Sequence, residues 1–265
     1  MNQPGSGPVV AGVLIQGVVG NRERLLRAVA LGLDAEGRAR GHVPGHGEMS
    51  DAVFMHCPLL AMAYVETGEK EYLEACRNHW RFMQKMCLRK DGLYRHSPLH
   101  EAAWGRGNGF PALGVSLVLQ ELERREESPQ ALREEFRAGV RAHLRALKRH
   151  QDEEGMWHQV IDHAESYAEF SATCMIGYAL YAGLNGGWLA EEEFGASAAA
   201  AWEAVKGRIR LDGEFLEGVC TGTGKQKSLQ AYFERKEIHG RDERGGAMAL
   251  LLATERLRWE QGRGE

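Results

Sequence analysis

The stretch EYLEACRNHWRFMQKMCLRKDG, residues 71–92, decides the fold. Its apolar residues recur at i, i+3, i+4 and i+7, which predicts an amphipathic helix with one buried face. We expect the helix to end at the pair Asp91-Gly92, because glycine can take the positive φ that follows a last helical turn. A second and more apolar helical pattern, GFPALGVSLVLQELE, follows at residues 109–123. Together the two patterns predict a helical hairpin with a connecting loop.

The same unit recurs along the chain. An acid-glycine pair begins at Glu36, Asp91, Glu154 and Asp212, with spacings of 55, 63 and 58 residues. Each pair follows a charged amphipathic helix and precedes an apolar one, so the first helices suit an outer layer and the second an inner layer. We therefore predict an all-α hairpin toroid that forms a single domain over residues 21–265. A frayed or buried segment over residues 1–20 precedes it.

The composition favours a globular protein and argues against several partners. Residues are 43% hydrophobic and 26% charged, which is enough for a substantial core. A net charge of −4 with mixed signs disfavours nucleic acid and membrane surfaces. The apolar residues 8–19 are too short to cross a bilayer. The five cysteines are odd in number and form no CxxC pair, so a disulfide framework or zinc site is not indicated and we expect a cytoplasmic protein.

The loops between outer and inner helices contain the residues that are hardest to explain by folding alone. In a toroid these loops lie at one end, where the N–H groups and dipoles of the inner helices favour an anion. The candidate residues are Ser50, Asp51, His96, Glu101, Trp104, Arg106, Asn108, Trp157, His158, Ser166, Tyr167, Glu169, Thr221, Lys225, Tyr232, Arg241 and Asp242. The aromatic members offer flat faces for a sugar ring. This combination predicts an acidic sugar as ligand.

Five ordered blocks carry a resemblance to a known family. They are SDAVFMHCPLLA at 50–61, DGLYRHSPLHEAAWGRGNGF at 91–110, GMWHQVIDHAESYAEFSATCMIGYAL at 155–180, GVCTGTG at 218–224 and GRDERGGAMALLLATE at 240–255. From about residue 48 to 256 the chain resembles the unsaturated uronyl hydrolases of glycoside hydrolase families 88 and 105. The resemblance implies a six-hairpin (α/α)6 barrel. It also implies an enzyme that removes the non-reducing-end Δ4,5-unsaturated uronic acid from lyase-generated oligosaccharides, with no metal or nucleotide cofactor.

The resemblance implies a role for individual side chains. In the family an aspartate three residues before the tryptophan of the W-x-R-G-N block protonates C4 of the C4=C5 enol ether, and water then adds at C5. Glu101 occupies that position here, with a side chain one methylene longer. Asp51 falls on a second family aspartate in the same cleft. The expected substrate-binding residues are His96, Trp104, Arg106, His158, Tyr167 and Lys225.

Each role has a structural alternative. Acids such as Asp51 and Glu101 near helix starts commonly cap the helix. Trp104 and Tyr167 are equally expected in hydrophobic packing, Arg106 in bracing its loop, and Lys225 in a solvated loop. At the level of the whole protein the alternatives are a sugar epimerase of the same fold and a non-catalytic carbohydrate-binding relative.

The number of hairpins departs from the family pattern. A closed barrel needs six, whereas we find four units that begin near residue 21. An open ring, a ring completed by a partner subunit or by the apolar start, and a truncated form are all consistent with this. Because an open ring exposes the flanks of its inner helices, we expect a homo-oligomer.

Overall fold

The computed structural model describes residues 22–43, 48–210 and 215–263. The predicted N-terminal segment over residues 1–20 and the turn at Asp212 lie outside the described residues. The helices are α1 (Arg22–Gly32), α2 (Ala35–Arg40), α3 (Ala52–Thr67), α4 (Lys70–Cys87), α5 (Gly105–Glu123), α6 (Gln130–Lys148), α7 (Phe170–Asn185), α8 (Glu191–Gly207), α9 (Leu229–Phe233) and α10 (Glu243–Gly262). The strands are β1 (Ile209–Arg210), β2 (Phe215–Cys220) and β3 (Glu237–Gly240).

The helices form two layers, as their patterns predict. Helix α4 buries one stripe that includes Leu73, Trp80 and Met83, and its other face is charged. Helices α5 and α7 each bury 15 residues and are surrounded on most sides. Amphipathic helices therefore lie outside and all-round apolar helices lie inside. No helix in the three described ranges is long and apolar enough to cross a membrane.

The inner helices stand in a row in the order α3, α5, α7 and α10. Helix α4 packs against α3, α6 against α5 and α8 against α7, so each of these outer helices packs mainly on the inner helix that precedes it. Short connections join each such pair, whereas the long loops lead from an outer helix to the next inner helix. Backbone hydrogen bonds, such as Gly105 N to Gln159 O at 2.8 Å, join the long loops to one another. The long loops and the N-termini of the inner helices therefore share one end of the molecule.

Two of the predicted acid-glycine turns are confirmed and one is wrong. Gly92 and Gly155 follow their helices with φ of 88° and 90°. The pair at Glu36 instead lies inside α2, whose first turn is capped by the Asp34 carboxylate accepting from Gly37 N at 2.9 Å. Asp34 therefore caps a new helix immediately after α1. The acid-glycine pattern alone does not distinguish such a helix start from a helix end.

A small antiparallel sheet interrupts the last hairpin. Its order is β1-β2-β3, with Ile209 opposite Leu216 and Val219 opposite Ile238. β1 has only two residues, and β2 buries its last three residues in a run rather than every second one, so neither shows a period of two and the all-α prediction passed over them. The sheet carries Cys220 and Thr221 to the N-termini of the inner helices.

One side of the row of inner helices is open. Helix α10 buries only five of its 20 residues and leaves Leu250 and Leu257 exposed. A groove of about 590 Å³ runs along α5, α7 and α10, with an apolar lining that includes Leu117, Ala247 and Leu251. Within the described residues the chain therefore supplies four inner helices of the toroid, three of them paired with an outer helix through a short connection, and an uncovered inner face.

Candidate active site

Asp51 begins α3 but does not cap it. Its carboxylate makes no capping hydrogen bond to the helix, and the residue is 6% exposed. Oδ1 instead lies 3.3 Å from Nε2 of His96. The structural alternative of an acid that merely caps the helix therefore does not describe this side chain.

His96 connects Asp51 to a distant part of the chain. Its imidazole is fully buried, and Nδ1 lies 3.0 Å from the hydroxyl oxygen of Tyr232. The indole of Trp104 packs on the same ring, with the ring centroids 4.4 Å apart. Asp51, His96 and Tyr232 thus form a buried polar row beneath the long loops.

Glu101 lies at the rim of this cluster. Its side chain is 67% exposed and pairs with Nη1 of Arg95, and its backbone carbonyl accepts from Arg89 at 2.8 Å. The charges of both acids act on the buried thiol of Cys87. The pKa of Cys87 is raised to about 12, mainly by burial, while the Arg95 charge lowers it and the charges of Asp51, Glu48 and Glu101 contribute to raising it. The two predicted acids therefore act on one neighbourhood, one from inside the protein and one from solvent.

Asn108 holds the loop that carries His96 and Glu101. Its Oδ1 accepts from Tyr94 N at 2.8 Å, and its Nδ2 donates to Tyr94 O at 2.8 Å and to Trp104 O at 3.0 Å. Nε2 of His143 lies 3.2 Å from the same Oδ1. Asn108 therefore joins both ends of the loop to the first turn of α5 and to α6.

Arg106 braces the loops. Its guanidinium is 3% exposed and donates to Cys220 O at 2.5 Å and to Thr221 O at 2.8 Å. Glu169 lies 4.0 Å away and accepts from Ala172 N, Ser171 Oγ and Cys220 N. This geometry fits the alternative in which Arg106 braces its loop rather than contacts a uronate.

The remaining predicted residues lie around the cluster. Trp104 is 1% exposed, and the Arg106 guanidinium lies 4.7 Å from its ring centroid, so protein groups occupy the ring that was expected to face a sugar. His158 contacts Asp152 Oδ2 at 3.0 Å and Ser166 O at 2.5 Å within its own loop. Tyr167 is half-buried and donates to Arg235 O at 3.4 Å. Lys225 is exposed.

Sequence reasoning placed Tyr232 only among the aromatic loop residues. The structure gives it a polar role, since its hydroxyl lies against His96 and its ring is fully buried. The two residues are 136 positions apart, and the pattern AYFER around Tyr232 carries no signal that points to His96.

The fold and this cluster define an α/α-hairpin toroid protein with acids at the N-termini of its inner helices. The chain belongs to Glycosyl Hydrolase Family 88, whose family model matches residues 47–260.

Named relatives agree with this membership. An unsaturated rhamnogalacturonyl hydrolase of Bacillus subtilis (strain 168) is 34% identical over 149 residues, which cover 56% of this chain and 39% of the relative. An unsaturated 3S-rhamnoglycuronyl hydrolase of Alteromonas sp. (strain LOR) is 24% identical over 240 residues, 83% of this chain and 54% of the relative. The chain spans about half the length of the curated relatives it matches.

A solved structure agrees in fold. A family 105 glycoside hydrolase of C. acetobutylicum ATCC 824 superposes with a TM-score of 0.73 at 20% identity. The match covers 95% of this chain and 78% of the other. Together with the family match it supports the predicted α/α toroid class.

Proposed function

We propose that the protein is an unsaturated uronyl hydrolase that removes the non-reducing-end Δ4,5-unsaturated uronic acid from lyase-generated oligosaccharides. The observation that carries this proposal is that Asp51 lies beside His96, whose backbone N donates to the carbonyl of Ala102, next to Glu101, in a family 88 chain. The names of the two curated relatives support the substrate class.

Glu101 is the proposed acid. Its carboxyl group is exposed and can reach a bound sugar, whereas the carboxylate of Asp51 lies deeper in the cluster, beside His96, and is 6% exposed. The acid gives its proton to C4, the π electrons of C4=C5 form the new C–H bond, and positive charge develops at C5 and the ring oxygen. Water adds at C5 and loses a proton to a carboxylate of the site. The hemiketal then opens, and the glycosidic bond is lost.

The charge preference of the site comes mainly from backbone groups. Arg106 donates to Ser171 Oγ, Cys220 O and Thr221 O, and Glu169 occupies the N-terminus of α7. The proposed binding of the uronate carboxylate therefore relies on the N-terminus of α5. Lys225, which is exposed on the adjoining loop, adds positive charge.

Location and assembly are part of the proposal. All five cysteines are free and buried, which supports a reducing compartment such as the cytoplasm. The uncovered face of α10 supports a homo-oligomer.

The test follows the C4=C5 bond directly. Full-length protein is incubated with lyase-generated rhamnogalacturonan and glycosaminoglycan oligosaccharides, and the ultraviolet absorbance of the conjugated bond is recorded. Loss of absorbance with release of an opened keto acid supports the proposal. Binding without loss of absorbance overturns it in favour of a carbohydrate-binding relative, and an isomerised sugar product favours an epimerase.

A further inference from the structure

The hydroxyl of Tyr232 has two partners among the described residues. It lies 3.0 Å from Nδ1 of His96 and 3.4 Å from the backbone N of Gln226. A backbone N–H can only donate, so the tyrosine oxygen accepts from Gln226. The proton of the phenol is then left for Nδ1 of His96.

The environment keeps that proton on the tyrosine. Tyr232 is buried, and its pKa is raised to about 12, mainly by burial, which outweighs the lowering effect of the Gln226 N–H, and also by the Asp51 charge. The phenol therefore keeps its proton at neutral pH, and Nδ1 of His96 is the acceptor that lies nearest to it. A neutral imidazole whose Nδ1 accepts carries its hydrogen on Nε2.

Nε2 is the nitrogen that faces Asp51, at 3.3 Å from Oδ1. We propose that Tyr232 is a positioning residue that fixes His96 in the Nε2–H tautomer, so that Asp51 faces an N–H group and serves as the proton acceptor of the site. An imidazolium would carry hydrogen on both nitrogens and leave the phenol proton facing another donor. The row thus has one consistent arrangement of its protons.

The consequence for catalysis rests on the proposed function. Glu101 gives a proton to C4, and the water that adds at C5 passes its proton to the Asp51 carboxylate. One carboxyl group then acts as acid and the other as base, and exchange with solvent restores both. Tyr232 is fully buried and acts only through His96. Its loss therefore changes turnover rather than substrate affinity.

The first test determines the tautomer of His96 by NMR and needs no substrate. Protein labelled with ¹⁵N-histidine is studied by long-range ¹H–¹⁵N correlation, which separates the Nε2–H, Nδ1–H and imidazolium forms, and His96→Gln identifies the signal of His96. The expected result is an Nε2–H signal in the wild type that moves toward Nδ1–H in Tyr232→Phe. An Nδ1–H or imidazolium signal in the wild type at neutral pH overturns the proposal even if the variant does not fold. An unchanged signal in folded Tyr232→Phe also overturns it.

The second test measures kinetics with a matched control. Tyr178 is a buried tyrosine whose hydroxyl donates to Gln120 Oε1 at 2.6 Å on α5, so Tyr178→Phe makes the same chemical change elsewhere. Tyr232→Phe should lower kcat by tenfold or more at unchanged KM, as expected for a misplaced imidazole proton. Tyr178→Phe should change neither the His96 signal nor kcat. Equal kinetic losses in both variants contradict the positioning role.

The two tests separate this inference from the proposed function. Absence of turnover in the wild type contradicts the proposed function, while the NMR signal still decides whether Tyr232 sets the tautomer.

Discussion

Glu101 has one methylene more than the aspartate of the family pattern, and the side chain extends to Arg95 at the rim of the site. Glu101→Gln keeps the shape and much of the hydrogen bonding but removes the transferable proton. We expect turnover to fall roughly 10²- to 10⁴-fold while substrate binding survives. Initial rates from the C4=C5 absorbance and titration calorimetry measure the two effects. Glu127→Gln is the control, because that carboxylate is 77% exposed on the α5–α6 loop.

Shortening the same side chain tests whether its length matters. Glu101→Asp restores the family's usual acid and takes the carboxylate away from Arg95. We expect a rate within tenfold of the wild type, since the acid is retained. If Glu101→Gln leaves the rate unchanged, the acid lies elsewhere and Asp51 becomes the first candidate.

Asn108 is the residue on which the site loop depends most. Asn108→Ala leaves the buried N–H and C=O of Tyr94 without their side-chain partner. We expect a loss of about 3 kcal/mol in the free energy of unfolding, because each unsatisfied buried group costs about 1–3 kcal/mol. Urea denaturation measures the change. Asn78→Ala, at an exposed position of α4, should stay within about 0.5 kcal/mol of the wild type.

From the sequence the candidate residues could be assigned to the long loops, but their side chains could not be oriented. The loop at 96–108 was predictable as a candidate site, because its density of polar and glycine residues exceeds what a hairpin connection needs. The direction of each side chain was not, since it depends on partners far along the chain. Glu169, for example, accepts from Cys220 N across 51 residues, and no local pattern indicates such a contact.

At the scale of elements, the turn at Gly155 fixes how α6 and α8 approach. Its φ is 90°, and a Cβ there lies 2.5 Å from the backbone oxygen of Ala200. Gly187 also has a positive φ, of 65°, but has nothing within 4 Å. Gly187→Ala should therefore cost only backbone strain, about 1–2 kcal/mol, and Gly155→Ala roughly 3 kcal/mol because a clash adds to it. Thermal and urea unfolding compare the two, and equal losses contradict the role of the close contact.

Two outer helices bury a histidine each, which makes the fold sensitive to acid. Burial lowers the pKa of His79 on α4 and of His143 on α6 to about 3. The unfolded chain takes up protons below about pH 6.5 and the folded chain does not, so stability falls as the pH drops from about 6.5 to 3. At pH 5 each histidine should reduce the free energy of unfolding by about 2 kcal/mol.

Unfolding measured against pH checks this expectation. His79→Gln should flatten the slope of stability between pH 6.5 and 4 even if it lowers stability throughout. His239→Gln, whose side chain is 50% exposed, should leave the slope unchanged. A slope that is the same in all three proteins contradicts the assignment.

Long helices were predictable because their apolar period extends over many turns, whereas the short elements were not. Helix α2 has six residues and β1 has two, too few to show a period. The sheet forms because its strands pair across the last long loop, and the sequence does not indicate that pairing.

At the scale of the whole molecule, the described residues leave one side of the row of inner helices uncovered. The inner helices α5 and α7 are covered on nearly all sides, but α10 is covered on one side only. The count of hairpins in the sequence was consistent with an open ring, with a ring completed by a partner subunit or by the apolar start, and with a truncated form. It left open what covers the groove, because an apolar face does not name its partner.

We propose that a second copy of the chain covers the groove. Its lining is largely apolar, and a two-fold axis would let the same apolar patch of two copies cover itself. Leu250 lines the groove and is 67% exposed, and Leu250→Asp should convert a dimer into a monomer in sedimentation velocity at micromolar concentration. Leu31→Asp changes an even more exposed leucine, at 84%, on α1 and should leave the dimer intact. A wild-type protein that sediments as a monomer, or dimers that persist in Leu250→Asp, would show that the groove is not a contact between copies.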